Sequence, residues 1–291
     1  MKAFFKIRII LFFTCCICCL LSCRPNDPAP NNNKGGTTIT GNNIITISGT
    51  NNSTSGNTTT GTYTSSGLGT LAFHLHNTMD DQEFDEYNTV YQSSAGRKYK
   101  FTNGEFFISN IQLTKSDGSI YSVAGIIILK TIEKITITIA KVPVGNYKSI
   151  SFYVGLDSLT NASNPSINEN LNVSTMWYGT TAQAKGYIYL KFAGTIDTTS
   201  TMAGIEANMQ PFEYNIGTLG AYKKVQMGEK NYTVVEDQKM YVHMYCNYLA
   251  LFNGIQINKS ANLKVLTPAD NTTQLAKTII DNIPSMFSYE E

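Results

Sequence analysis

The chain has few of the residues on which most catalytic centres and nucleic-acid-binding surfaces depend. It contains three histidines and one tryptophan, and only 15% of its residues are charged. Its 22 basic and 21 acidic residues nearly balance, so a basic surface for nucleic acid is not expected. No G-x-S-x-G, phosphate-cradling glycine loop or H-E-x-x-H motif occurs. These absences predict a protein that is not an enzyme and does not bind nucleic acid.

The apolar run near the N-terminus, residues 9–21, is too short for a transmembrane helix, which needs roughly 20 residues. It follows the basic residues Lys2, Lys6 and Arg8, which is the pattern of a secretory signal. The run ends Leu-Leu-Ser-Cys at Cys23, which is the pattern of a bacterial lipobox. Residues 1–22 are therefore predicted to be a lipoprotein signal peptide, with lipid on Cys23. The alternative, a disulfide-bonded or buried Cys23 behind an ordinary signal, is disfavoured because no A-x-A motif precedes it.

Cysteine is scarce in the mature chain. Four of the six cysteines lie inside the signal, and Cys23 is predicted to carry lipid, which leaves Cys246. A disulfide within the fold is therefore excluded, and stability must come from a hydrophobic core. Residues 67–291 are long enough to build that core as one domain.

Between the lipid and this domain lies a segment rich in Asn, Thr, Gly and Ser. Residues 23–66 have too few apolar side chains to offset the chain entropy of folding, and we expect a lipidated flexible tether about 35 Å in average span. The partner implied is a membrane, reached through the lipid. No Asp follows Cys23 as an inner-membrane retention signal would require. The expected location is the cell envelope, at the outer membrane, with the domain facing either the periplasm or the outside.

Short runs of Ile, Val, Tyr, Phe and Thr, separated by Gly, Asn, Asp and Pro, fill the domain and predict strands. This density of strands and turns favours an all-β fold, an antiparallel β-sandwich. A short C-terminal helix is expected over 272–282, with Asn271 and Gln274 as a capping pair and Pro284 ending it. The predicted strands are 71–76, 105–114, 120–129, 132–140, 147–156, 186–193, 212–216, 232–235 and 239–244.

Five segments, in order along the domain, resemble the signatures of the MbnP-like family, β-sandwich proteins named after a periplasmic copper-binding protein associated with methanobactin. They are FTNGEFFISNIQLTKSDG (101–118), VPVGNYKSISFYVGLDS (142–158), MWYGTTAQAKGYIYLKFAG (176–194), FEYNIGT (212–218) and DNIPSMF (281–287). The resemblance implies a copper site in some members. In those members a Trp-x-His pair lies on an N-terminal strand, the Trp can be oxidised, and a later His completes the site.

The chain departs from that copper site at two positions. His74 stands where the Trp would be if His76 is the ligand, and Asn215 replaces the His of the family's F-x-x-H-I-G motif. Trp177, the one tryptophan, belongs to a different motif. The oxidised-tryptophan form of the site is therefore not supported.

His74 and His76 are nevertheless a candidate pair of metal ligands, since residues i and i+2 of a strand share a face. Neutral imidazoles suit copper or zinc, and Cu(II) is the tightest-binding divalent ion of the first row. Two imidazoles need a third ligand, and His243 is the remaining histidine. The predicted metal site is His74, His76 and His243, and it requires the first and the late strands to be neighbours. Oxygen ligands could also come from Asp80, Asp81 and Glu83.

Two interpretations of function stay open. The first is a membrane-anchored lipoprotein with a copper or other metal site. The second is a non-enzymatic surface module without metal, in which the two first-strand histidines are solvent-facing polar side chains. Such a module would bind a glycan or a partner protein, and Trp177 could stack on a sugar, although a core or rim role is the ordinary one for a tryptophan. Cys246 is expected to be a small buried hydrophobe.

Overall fold

The structure is a computed structural model, and it describes residues 67–181, 185–202 and 204–290. The predicted signal peptide, Cys23 and the tether lie outside these residues. Within the described ranges, no helix is both long and apolar enough to cross a membrane.

Most of the described residues lie in strands or in the turns between them. Among the described residues, two α-helices have defined bounds and both are short: α1 (Ser158–Asn161) is a single turn, and α2 (Gln274–Asn282) lies near the C-terminus. Short 3₁₀ segments connect several elements: Pro165–Ile167, Ser174–Met176, Glu206–Asn208, Leu219–Ala221, Tyr248–Phe252, Ser260–Asn262, Ala269–Thr272 and Ile283–Met286. The strands are β1 (Leu68–Met79), β2 (Gln82–Glu83), β3 (Val90–Gln92), β4 (Lys98–Lys115), β5 (Ile120–Ser122), β6 (Ile127–Lys130), β7 (Thr136–Pro143), β8 (Gly145–Val154), β9 (Ile188–Asp197), β10 (Met209–Gly217), β11 (Lys223–Gln226), β12 (Tyr232–Val234), β13 (Lys239–Asn247), β14 (Lys264–Val265) and β15 (Phe287–Tyr289).

The strands form two sheets. The smaller sheet has the order β15-β13-β1-β2, with β7 also paired to β1. The larger has the order β11-β8-β4-β9-β10-β14, with β12 on β8 and with β3, β5 and β6 on the long strand β4. The predicted all-β sandwich with a short C-terminal helix is confirmed. Most pairs are antiparallel, but β1 pairs with β13 in parallel, and so does β10 with β14, so both sheets are mixed.

Aromatic side chains fill the space between the sheets. The ring of Phe73 on β1 lies 5.9 Å from that of Phe152 on β8, and Phe287 on β15 lies 5.1 Å from the same Phe152 ring. These contacts join the inner face of the small sheet to that of the large one. Tilted and edge-to-face ring pairs at these separations add roughly 0.5–1.5 kcal/mol each beyond the burial of their apolar area. The core thus provides stability to a domain whose one described cysteine, Cys246, is free.

Several predicted boundaries differ from those in the structure. The single strand expected over 120–129 is two strands, β5 and β6, because Gly125 adopts a left-handed conformation (φ +71°) between them. The strand expected from residue 132 begins at Thr136, since the preceding segment turns and buries Ile132. These differences leave the order of the elements unchanged.

The start of the C-terminal helix also differs from the prediction. The N-cap of α2 is Thr273, whose side chain accepts a hydrogen bond from the Ala276 N–H, and the predicted cap Asn271 does not serve it. Asn271 is buried instead, and its side-chain oxygen accepts from the Gly217 N–H at 2.9 Å. The predicted end of the helix is confirmed, since α2 stops at Asn282 before Pro284.

Candidate metal centre

The outer face of the small sheet carries the histidines because of strand alternation. On β1, Leu71, Phe73 and Leu75 are fully buried, and the intervening side chains, His74 and His76, point away from the core. The third histidine lies on β13, the strand that pairs in parallel with β1. Strand β13 runs parallel to β1 with His74 directly opposite His243, so the strands expected to be neighbours are neighbours.

The three imidazoles lie close together. The His74 ring centroid is 4.4 Å from that of His76 and 5.0 Å from that of His243. One nitrogen from each ring can be chosen so that all three lie within 4.8 Å of one another. The structure thus brings together all three histidines predicted as ligands, 169 residues apart along the chain at the extremes (243 − 74). We call this group the three-histidine cluster.

A hydrogen bond orients the middle histidine. His74 Nδ1 lies 2.9 Å from the hydroxyl oxygen of Thr136, which is its register partner on β7. If Nδ1 carries the proton and donates it to this oxygen, Nε2 keeps a free lone pair. Hydrogen bonding at one ring nitrogen commonly sets which nitrogen can bind a metal. In that tautomer His74 would coordinate a metal through Nε2.

The pKa of His74 is lowered from its ordinary value by burial and by the neighbouring His76 and His243, while Glu290 opposes the shift. The direction keeps His74 neutral near pH 7, and the neutral imidazole is the form that binds metal. His76 and His243 keep 28% and 49% of their side-chain surface, so an ion can approach from solvent.

A carboxylate that was not predicted from the sequence lies beside the three-histidine cluster. Glu290 Oε2 lies 3.1 Å from His243 Nδ1 and 3.4 Å from His76 Nε2. The residue follows β15, which pairs antiparallel with β13, and the Glu290 N–H donates to the His243 carbonyl at 3.2 Å. Glu290 could not have been linked to His74 without knowing this strand pairing.

The acidic residues suggested as oxygen ligands do not take part. In the part of the chain that the structure describes, the group of potential ligands around His74 and His76 includes neither Asp80, Asp81 nor Glu83. Asp80 Oδ2 instead accepts hydrogen bonds from the Ser94 N–H and hydroxyl, both at 2.9 Å. It holds a turn and is not directed to the imidazoles.

Asn215, which replaces the His of the family motif, is not close in the fold to the histidines. It lies on β10 in the large sheet, where its side chain donates to Glu213 Oε1 at 2.9 Å and its carbonyl accepts from Tyr178. The three-histidine cluster lies on the outer face of the other sheet. His243 therefore does not substitute for a ligand lost at position 215.

Trp177 and Cys246 occupy the places expected for structural residues. Trp177 packs partly buried against the core, and its Nε1–H donates to the Leu171 carbonyl at 3.0 Å. It also lines a cavity of about 370 Å³ beside Lys191 and Asn215. Cys246 is fully buried and free, and burial raises the pKa of its thiol to about 12, so it is a poor metal ligand at neutral pH.

Comparison with known proteins places the chain in a family. The family model MbnP matches residues 68–270, which include most of both sheets and all three histidines. This chain belongs to the MbnP family. A solved structure, MbnP from Methylosinus trichosporium, is 12% identical, with 76% of this chain and 98% of that one covered and a TM-score of 0.47. No curated protein matches the chain.

The residues of this MbnP-family chain suit a transition-metal ion. Three imidazoles of which one has a lowered pKa, together with a nearby carboxylate, form a nitrogen- and oxygen-rich donor set. Such donors fit Cu(II) or Zn(II), and His residues bind these ions at about 2.0–2.1 Å. Nitrogen atoms up to 4.8 Å apart must move closer to one another before they can share one ion. The donor chemistry therefore fits a metal.

Proposed function

We propose that this protein is a non-catalytic, lipid-anchored member of the MbnP family that binds a copper or other divalent ion through His74, His76 and His243. The observation that carries the proposal is the convergence of three histidines from two strands on one sheet face. Histidine makes up only three residues of the chain, and all three meet here. A solvent-facing surface gives no reason for such a coincidence, whereas coordination of an ion does.

Metal analysis of the refolded protein, made without a His tag, tests this proposal. After dialysis against a slight excess of Cu(II) or Zn(II) and removal of free metal, about one ion per chain should remain bound, because the described residues contain one such cluster. A triple variant with alanine at the three histidines is the control and should retain almost none. Equal metal content in both proteins would contradict the assignment.

The membrane anchor is supported by the lipobox that ends at Cys23 and by the composition of the segment behind it. Replacing Cys23 with Ser should leave unprocessed or soluble protein, because no thiol remains to carry the lipid. Metabolic labelling with a fatty-acid analogue, followed by membrane fractionation, measures this directly, with Cys246→Ser as the matched control. Equal labelling of Cys23→Ser and the wild type would refute lipidation at this residue.

A second candidate function is binding of a glycan at the cavity lined by Trp177. An indole beside Lys191 and Asn215 combines an apolar ring with polar groups, which is a common composition for a sugar site. A glycan-array screen of wild type and Trp177→Phe would reveal such binding. This candidate concerns a different face of the molecule, so both activities can be examined independently.

A further inference from the structure

Glu290 lies next to two of the three histidines, whereas an ordinary surface ion pair needs only one partner. A single oxygen, Oε2, is 3.1 Å from His243 Nδ1 and 3.4 Å from His76 Nε2. The carboxylate keeps only 29% of its side-chain surface, although it follows the last strand of the sheet. The three atoms therefore form a compact group on one side of the cluster.

Backbone pairing fixes this position. Strand β15 pairs with β13 through Met244–Tyr289, Tyr245–Ser288 and Cys246–Phe287, and the next step opposes Glu290 to His243. Phe287 anchors the strand in the core, with its ring 5.7 Å from that of Phe106. The glutamate is thus held by a paired strand, which is the kind of support that precise metal ligands need.

From this geometry we propose that Glu290 is a fourth metal ligand of the three-histidine cluster, and this rests on the proposed function. Ligand atoms about 2.0–2.1 Å from one ion in a tetrahedral arrangement are about 3.3–3.4 Å from each other. The separations of Glu290 Oε2 from the two imidazole nitrogens, 3.1 and 3.4 Å, match that spacing. Glu290 lies outside the set of ligand atoms that are all within 4.8 Å of one another, so its carboxylate must move toward His74, giving up its contacts with the two imidazoles, before all four groups can share one ion.

A carboxylate changes which oxidation state of copper the site prefers. Oxygen donors are hard ligands that suit divalent ions, whereas Cu(I) prefers soft sulfur ligands. In the described part of the chain the cluster contains no sulfur ligand. Glu290 also adds a negative charge that partly neutralises a divalent ion. The site is therefore built for Cu(II) or Zn(II), with Glu290 as the residue that favours the divalent ion over Cu(I).

The test compares Cu(II) and Cu(I) affinities of wild type, Glu290→Gln and His76→Ala by competition with chelators of known affinity. Glu290→Gln keeps the shape of the side chain and removes its charge. We expect it to lower Cu(II) affinity about tenfold or more, with Cu(I) affinity within about threefold of wild type. A tenfold selective loss corresponds to a rise of about 59 mV in the Cu(II)/Cu(I) potential. Glu229→Gln, an exposed carboxylate paired with Lys148, is the matched control and should change neither affinity.

The other outcomes distinguish failure of the three-histidine metal site from failure of Glu290 as its fourth ligand. If His76→Ala weakens Cu(II) binding and Glu290→Gln does not, the three-histidine site stands and Glu290 is not a ligand. If Glu290→Gln lowers both affinities equally, the glutamate only positions the imidazoles, and the inference is overturned. If neither variant differs from wild type, the proposed metal function itself fails.

Discussion

Replacing His76 with alanine is expected to weaken Cu(II) binding by at least about 100-fold, since mutations of groups that merely support metal ligands already cost 10–100-fold. His76 lies 4.4 Å, ring to ring, from His74 and shares Glu290 with His243, so its loss removes one donor and loosens a second. The two remaining imidazoles, on adjacent strands, would bind weakly and with little selectivity. Competition titration of both proteins at the same pH measures the change.

The matched comparison is Asn215→His, which restores the residue expected from the family motif. Asn215 belongs to the large sheet and contacts Tyr178 and Glu213, so a histidine there cannot reach the three-histidine cluster. We therefore expect Cu(II) affinity to stay within about twofold of wild type, a difference of less than 0.5 kcal/mol in binding free energy. A large gain in affinity would instead point to a metal site in the large sheet.

Thermal unfolding gives a second readout of the same variants. An ion that binds only the folded state stabilises it by about 4 kcal/mol when its free concentration is 1,000 times the dissociation constant. Copper should therefore raise the melting temperature of wild type and of Asn215→His, and have little effect on His76→Ala. If copper stabilises His76→Ala as much as wild type, the ion binds elsewhere.

The candidate site shows how far strand alternation alone can lead. The pair His74 and His76 follows from the spacing of two residues on one strand, a local property. The position of His243 depends on β13 pairing with β1, and the position of Glu290 depends on β15 pairing with β13. Strand order and register arise from the packing of the whole sandwich, so a single sequence gives them no local signal. His243 could be predicted as a ligand because the chain has so few histidines. Glu290 could not be singled out, because it is one of many acidic residues.

The fold shows the same limit. The alternation of Ile and Thr on β7 and the dense turn residues were sufficient to predict a sandwich. The parallel pairing of β1 with β13 was not predictable, because side-chain alternation is the same in parallel and antiparallel strands. Nor was the burial of Lys130 predictable, since a lysine at the end of a strand is ordinarily exposed.

Lys130 is fully buried between the sheets, beside β1, the strand that carries His74 and His76. Its Nζ donates to the Asn77 side-chain oxygen at 2.6 Å and to the Thr131 carbonyl at 2.5 Å, and Asn77 lies opposite Cys246 in the β1–β13 pair. Burial lowers the pKa of Lys130 from 10.5 to about 8, and the nearby Cys246 and Glu133 only partly oppose the shift. Keeping the Lys130 ammonium group charged in the core therefore lowers the free energy of unfolding.

The depressed pKa of Lys130 predicts a specific dependence of stability on pH. Between about pH 8 and 10.5 the unfolded chain holds a proton on Lys130 that the folded chain has released, so the free energy of unfolding rises with pH. Below pH 8 both states are protonated and the full penalty applies. A change of 2.5 pKa units corresponds to about 3 kcal/mol, most of which wild type should recover between pH 7 and 10. Lys130→Met has no such group, so it should lose this gain.

Urea unfolding of wild type and Lys130→Met at pH 7, 8, 9 and 10 measures the effect, and the difference between the two proteins cancels the titration of the tyrosines they share. We expect wild type to gain about 2–3 kcal/mol relative to the variant across this range. The absolute stability of Lys130→Met at pH 7 also reflects Asn77 Oδ1 and the Thr131 carbonyl, which lose their donor, so the slope with pH is the quantity to compare. Lys224→Met, at an exposed lysine, is the control and should parallel wild type. A difference between wild type and Lys130→Met that stays constant from pH 7 to 10 would show that Lys130 does not titrate in this window.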